Sequence, residues 1–149
     1  MKRHPVLIPL SRHHHDHLVL AQLLKHGSPP YRGLPDDLNG KIDYLANHFR
    51  ASLLPHMILE EQVLYPFIKE KVFFLDELVE DLEREHQEMT FIFNEIIANR
   101  DWKDLDRLGT LLEIHIRKEE RVLFQKLQDE LQVQDWSVLE AKLKQSGKN

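Results

Sequence analysis

Two ten-residue segments of the chain carry the same pattern of histidine, glutamate and apolar side chains. Residues 56–65 read HMILEEQVLY, and residues 115–124 read HIRKEERVLF. Each copy is His-x-x-x-Glu-Glu-x-Val-Leu-aromatic. In an α-helix, a residue and the one four positions later lie about 40° apart around the axis, one turn above the other. Each copy can therefore direct an imidazole and a carboxylate at one point, which are ligands suited to a transition-metal site in a helical bundle.

The duplication makes this pattern informative. The sequence has 10 histidines, so chance alone gives about one His-x-x-x-Glu pair, and a single pair would be weak evidence. Both pairs that occur lie inside the repeat, and the Val, Leu and aromatic residue that follow them are also shared. The alternative is a duplicated helix with solvated His and Glu side chains, which would make this agreement a coincidence.

Each copy contains two adjacent glutamates, and helix geometry distinguishes them. A residue four positions after the histidine is about 40° away around the axis, whereas one five positions after is about 140° away. We therefore predict that Glu60 and Glu119 bind metal, while Glu61 and Glu120 face solvent or orient the ligands. A local bulge in the last helix would exchange the roles of Glu119 and Glu120.

Composition restricts the chemistry that is available. A chain of 149 residues with 42% hydrophobic content predicts one domain with a substantial core. The absence of cysteine excludes disulfides, iron–sulfur clusters and cysteine nucleophiles. A net charge of −5 without a basic stripe argues against nucleic-acid binding. We find no signal peptide and no apolar run of membrane-spanning length, which predicts a cytoplasmic protein.

Apolar residues at helical spacing predict four helices. The first is expected to have Ser11 as its N-cap and to stop at Gly27. The second is expected to begin at the acidic pair 36–37, and Pro55 is expected to kink or divide it. The third and fourth are predicted over residues of about 74–98 and from about 104. A short terminal helix is predicted over about 135–145.

Candidate ligands fall within the predicted apolar stripe of every one of the four helices. Unpartnered polar groups would be costly there, which favours a metal site over isolated core histidines. The tract His13, His14, His15 and His17 could instead be a surface metal-scavenging tract or a tag remnant. The position of His14 in its stripe favours a buried ligand, and His17 could share its direction. The candidate residues are His14, His56, Glu60, His86, His115 and Glu119.

Two segments that contain these candidate residues resemble motifs of the hemerythrin-like family, the HHE cation-binding domain of bacterial di-iron type. They are residues 54–66, LPHMILEEQVLYP, and residues 11–15, SRHHH. The resemblance covers about residues 5–130 and implies an all-α, up-down-up-down four-helix bundle. The bundle would occupy about residues 10–131 of a single domain, 1–149, with the terminal helix after it.

The resemblance also implies two non-haem irons, bridged by two helix carboxylates and an oxo or hydroxo group. Oxygen carriers of the family have a further histidine one turn from the one matched by His86. Leu82 and Thr90 stand at those positions here, which leaves an additional coordination position open. His13, His17 or Glu83 could supply an extra ligand, or a small molecule could bind. The implied ligands are His14, His56, Glu60, His86, His115 and Glu119.

The expected function is binding or sensing of a small ligand, such as dioxygen or nitric oxide, by a di-iron centre. The alternatives are a di-iron enzyme that turns over peroxide or nitric oxide with an unknown reductase, an iron-handling or repair protein, and a metal-free helical interaction module. Manganese and zinc accept the same imidazole and carboxylate ligands. Whether the protein is an enzyme, and its oligomeric state, stay open at this point.

Overall fold

Four long antiparallel helices and a shorter terminal helix make up most of the computed structural model, which describes residues 2–146. Those residues contain no β-strand. None of their helices is long and apolar enough to cross a membrane. The helices are α1 (Ile8–Leu24), α2 (residues 38–71), α3 (Asp76–Asn99), α4 (residues 102–130) and α5 (Val133–Ser146).

Contacts between the helices define an up-down-up-down four-helix bundle, as predicted. Near the end of α1, Lys25 pairs with Glu113 of α4. Near its beginning, His14 contacts Glu120, further along α4, so the two helices are antiparallel. Helix α2 runs antiparallel to both α1 and α3 in the same way. The all-α fold therefore places the midpoints of all four helices side by side.

Helix α1 begins earlier than predicted. A 3-10 turn at Pro5–Leu7 leads directly into it, and His4 Nδ1 accepts a hydrogen bond from the Val6 N–H at 3.1 Å. Ser11 therefore lies inside the helix rather than at its N-cap, and its hydroxyl donates to Glu120 Oε2 at 2.9 Å. Prolines are compatible with this start because the first N–H groups of a helix have no intrahelical partner.

Proline residues lie within α2 but do not divide it. A π-helical turn, Phe49–Leu53, precedes Pro55, and a second one, Glu60–Leu64, precedes Pro66. At the end of each turn, an N–H donates to the carbonyl five residues back instead of four. This shift in backbone pairing accommodates residues that lack an N–H donor, so the helix continues to Lys71.

The remaining helices follow the predicted pattern with small differences at their starts. Helix α3 begins at Asp76, after a 3-10 turn at Phe73–Leu75. Helix α4 begins at Trp102, because Asp101 accepts a hydrogen bond from the Lys103 N–H and acts as the N-cap. The terminal helix α5 buries Trp136 and Leu139 against the end of the bundle.

Buried apolar side chains form two clusters, one toward each end of the bundle. One cluster includes Leu10, Leu64, Leu82, Phe124 and Trp136, and the other includes Leu24, Leu45, Phe93, Leu105 and Leu112. A layer of buried polar side chains lies between the two clusters at the middle of the four helices. This layer contains the candidate site.

Candidate metal centre

All six candidate residues lie together in this polar layer. Each is buried, with between 0% and 5% of its surface exposed. Every one of the four bundle helices contributes at least one of them. The residues are His14 of α1, His56 and Glu60 of α2, His86 of α3, and His115 and Glu119 of α4.

Histidine nitrogens approach one another in two pairs. His14 Nε2 lies 3.1 Å from His56 Nε2, and His86 Nε2 lies 3.1 Å from His115 Nε2. Glu60, His86, His115 and Glu119 form one group whose ligand atoms all lie within 4.8 Å of one another. His14, His56 and Glu60 form a second such group. Each group could hold a metal ion.

Glu60 belongs to both groups because its two carboxylate oxygens face different histidines. Its Oε1 lies 3.1 Å from His86 Nε2, and its Oε2 lies 3.3 Å from His56 Nε2. Glu119 Oε1 lies 2.6 Å from His115 Nε2. A carboxylate shared in this way could offer one oxygen to a cation in each group.

Three of the four histidines are anchored at Nδ1 by a carboxylate on a neighbouring helix. Glu120 accepts from His14 at 3.1 Å, Glu61 accepts from His86 at 2.9 Å, and Glu85 accepts from His115 at 2.8 Å. An ionised carboxylate only accepts hydrogen bonds, so Nδ1 of each ring carries the proton. In a neutral ring, Nε2 then has a lone pair that points into the site. This arrangement of outer carboxylates is typical of metal-binding histidines.

His56 has a different outer partner. Its Nδ1 lies 3.1 Å from Nδ1 of His13. His13 itself is exposed at the surface.

The donor set of the layer fits a cation. Within residues 2–146, Glu60 Oε2 and both carboxylate oxygens of Glu119 make no hydrogen bond, although they are buried. Histidine lone pairs and these oxygens therefore converge without donors between them. Buried acceptors in such a cluster are unfavourable unless protons or a metal ion lie among them. Imidazole nitrogen and carboxylate oxygen together suit iron, manganese and zinc.

One protein family accounts for both the bundle and this layer. Residues 7–127 match the family model of the hemerythrin HHE cation binding domain. The chain belongs to the hemerythrin HHE family. Comparisons with curated proteins and with solved structures gave no match. This family is a cation-binding one, in agreement with the cluster of histidines and glutamates.

Without a bound cation, the carboxylates of the hemerythrin layer favour protonation of its histidines. Burial alone would lower the pKa of His14, but the hydrogen bond to Glu120 and the nearby Glu60 and Glu119 carboxylates raise it to about 10. Burial likewise opposes the nearby Glu119 charge at His115, and the pKa of His115 rises to about 9. Burial and the neighbouring Glu60 charge raise the pKa of Glu119. The metal-free layer is therefore a strongly basic pocket that binds protons at neutral pH.

The structure separates the adjacent glutamates by direction. Glu60 and Glu119 are fully buried, whereas the side chains of Glu61 and Glu120 are 41% and 24% exposed. A π-helical turn, Glu119–Leu123, is present in α4, but it begins at Glu119. The His-to-Glu spacing is therefore still α-helical, and the bulge does not exchange the two carboxylates. That Glu60 and Glu119 are metal ligands stays a prediction.

The proposed extra ligands have different positions. Glu83 is not part of the layer, because it forms an ion pair at the surface with Lys69 at 2.8 Å. His17 is buried beside His56, with ring centroids 5.2 Å apart, although it belongs to neither group of candidate ligands. His13 is exposed and belongs to neither group, although its Nδ1 lies 3.1 Å from His56 Nδ1.

Two aromatic residues at the layer show that the sequence repeat becomes an approximate two-fold repeat in space. Tyr65 stacks on His86 and Phe124 stacks on His14, in both cases with ring centroids 5.6 Å apart. The Tyr65 hydroxyl lies 3.4 Å from Glu60 Oε1. The sequence repeat includes an aromatic residue at the end of each copy, but the contact of this residue with a candidate histidine was not predicted.

One half of the layer is formed by α1 and α2 and includes His14 and His56, and the other half is formed by α3 and α4 and includes His86 and His115. A small internal cavity lies beside the histidines and extends across both halves. Its volume is about 10 Å³, which corresponds to roughly one water-sized group. The lining residues include His17 and Met89, one from each half. The space beside the candidate ligands is therefore about the size of one water molecule.

Proposed function

We propose that this protein holds two non-haem iron ions and binds or senses a small ligand such as dioxygen or nitric oxide. The observation that carries the proposal is the position of Glu60, whose two oxygens face two different histidine pairs. The set of unpartnered buried acceptors around it supports the same conclusion. The residues proposed to hold the ions are His14, His56, Glu60, His86, His115 and Glu119.

The side chains around the site define what the protein contributes. Iron supplies Lewis acidity and redox chemistry when it is bound. Glu61, Glu85 and Glu120 fix the tautomer and orientation of three histidines, so their Nε2 atoms are available to metal. The apolar clusters above and below exclude bulk water. The small cavity leaves room for about one water-sized group beside the candidate ligands, which favours small ligands.

The Tyr65 hydroxyl is the specific observation that favours a second candidate function, turnover of peroxide or nitric oxide. Burial raises the pKa of Tyr65 well above its usual value, so the phenol stays protonated. It is therefore a hydrogen-bond donor next to Glu60 that could assist a proton transfer. Phe124 occupies the equivalent place in the other half, so replacing Tyr65 with phenylalanine copies a side chain that the site already accommodates. Tyr65→Phe should abolish turnover without changing metal content, whereas equal turnover would remove this candidate.

Metal analysis of aerobically purified protein, expressed with added iron, tests the first proposal. We expect two irons per chain and absorption bands typical of an oxo-bridged iron pair. Glu60→Gln should lose most of the iron because Glu60 contacts both histidine pairs. Glu83→Gln is the matched control, because Glu83 pairs with Lys69 outside the layer. Wild-type protein that binds zinc or manganese instead, or no metal, would refute the iron assignment.

A further inference from the structure

His17 is a buried histidine at the site that the proposed ligand set does not use. It follows His14 by nearly one helical turn and is 3% exposed. Its Nε2 lies 3.0 Å from Ser52 Oγ. Its Nδ1 is also buried and meets no hydrogen-bond partner in the described part of the chain. A buried polar atom without a partner is costly, so a bound molecule that hydrogen-bonds to Nδ1 would remove an unfavourable feature.

The approximate two-fold repeat shows that this polar group is present in only one half of the site. His17 stands three residues after His14, and Met89 stands at the equivalent position in the other half. Both side chains line the internal cavity. The partner of His17 is Ser52, and its equivalent in α4 is Leu111. A hydrogen-bonding pair in one half is therefore replaced by an apolar pair in the other.

A surface depression approaches the site from the same half. It has a volume of about 540 Å³ and is lined by residues that include His13, Ser52 and His56. His56 also lines the internal cavity, together with His17. A small molecule that passes from the depression toward the cavity would therefore meet the pair of His17 and Ser52.

We propose that His17 is the side chain that hydrogen-bonds a small ligand that reaches the cavity from the surface depression, with Ser52 holding its ring. In this arrangement the Ser52 hydroxyl donates to Nε2, which leaves the proton on Nδ1 as a donor to the ligand. The ligand class is a small molecule or anion with an accepting atom, such as azide. This inference rests on the proposed function, because the ligand is expected to bind next to the metal-binding residues.

Azide binding to metal-loaded protein tests the inference. The variant His17→Met copies the other half of the site, and His17→Asn keeps an N–H donor close to the position of Nδ1. We expect the azide dissociation constant to rise by about tenfold in His17→Met, which is the effect of losing one hydrogen bond. His17→Asn should recover part of the affinity. Met89→Leu, on the apolar side, is the control and should stay within about twofold of wild type.

A second readout concerns the metal-free protein. Because Nδ1 of His17 is buried without a partner, His17→Met should raise the thermal midpoint of chelated protein. Azide affinity within twofold of wild type in His17→Met, at equal metal content, would overturn the inference. Loss of metal from His17→Met would also overturn it, by assigning His17 to metal retention. Wild-type protein that binds no metal would instead refute the proposed function on which the inference rests.

Discussion

The adjacent residues Glu119 and Glu120 allow a sharp test of the proposed metal centre. Glu119 is fully buried, and neither of its oxygens has a hydrogen-bond partner among the described residues. Glu120 instead accepts from His14 Nδ1 and from the Ser11 hydroxyl. The substitutions Glu119→Gln and Glu120→Gln preserve size and remove one charge each. They should therefore have very different effects on metal binding.

Glu120→Gln retains an amide oxygen that can still accept from His14. The change converts a charge-assisted hydrogen bond into a neutral one, which weakens it by about 1 kcal/mol. Metal affinity should fall by roughly five- to tenfold, at or just below the lower end of the roughly 10- to 100-fold range for residues that orient metal ligands. Glu119→Gln removes a carboxylate proposed to contact metal directly, and iron content should fall below half of the wild-type value.

Stability of the metal-free protein should change in the opposite direction for Glu119→Gln at high pH, where His14 and His115 have lost the protons that their raised pKa values hold at neutral pH. There, the introduced amide nitrogen can donate among acceptors that otherwise lack donors, and the like charge beside Glu60 disappears. Above about pH 10 we expect chelated Glu119→Gln to be more stable than chelated wild type by about 1–3 kcal/mol. Competition with a chelator and urea unfolding measure the two quantities. Normal iron in Glu119→Gln together with an empty site in Glu120→Gln would refute the assignment.

Two further predictions concern pH and helix packing. The folded-state pKa values of His14 (about 10) and His115 (about 9) exceed the ordinary value of 6.5. The stabilisation of the folded state by these protonated histidines is therefore fully present below about pH 6.5 and is lost as pH rises toward 10. Chelated protein should therefore lose more stability between pH 7 and 10 than metal-loaded protein in urea unfolding, and parallel losses would contradict this. At the contact between α1 and α4, a Cβ added to Gly109 would lie 2.6 Å from the Ala21 carbonyl oxygen. Strain of about 1–3 kcal/mol should outweigh a helix-propensity gain of at most about 1 kcal/mol. Gly109→Ala should therefore lower the thermal midpoint. Thr110→Ala, at the exposed neighbouring position, is the control and should not lower it.

The fold and the composition of the polar layer were predictable because they depend on helical phase. A histidine and the glutamate four residues later share one face, and the apolar stripe of each helix defines which face is buried. The same reasoning selects Glu60 and Glu119 as the buried carboxylates, and the structure buries both of them. The direction of each side chain around its helix axis follows from the sequence alone, so these residues could be predicted without knowing how the helices pack.

Other features depend on contacts that a helical pattern does not contain. The start of α1 was predicted incorrectly because the Ser11 hydroxyl bonds to Glu120, a residue far away in the sequence. Pro55 was expected to kink or divide α2; the helix is not divided, and a π-helical turn that the pattern did not predict precedes the proline. The pairing of His17 with Ser52 also joins two helices. The sequence pattern allows several local conformations, and contacts between the helices determine which of them forms.

The division of the apolar core into two clusters has a consequence for cooperative unfolding. Between the clusters, the helices meet through a polar layer whose buried carboxylate oxygens lack donors once its histidines lose their protons, so the metal-free bundle is weakest at its middle at high pH. Each end could then open without the other, and amide hydrogen exchange would report two separate units. A cation that binds all four helices at this level would join the units and make them open together. In such a protein, metal loading would decide whether the bundle unfolds in one step or two.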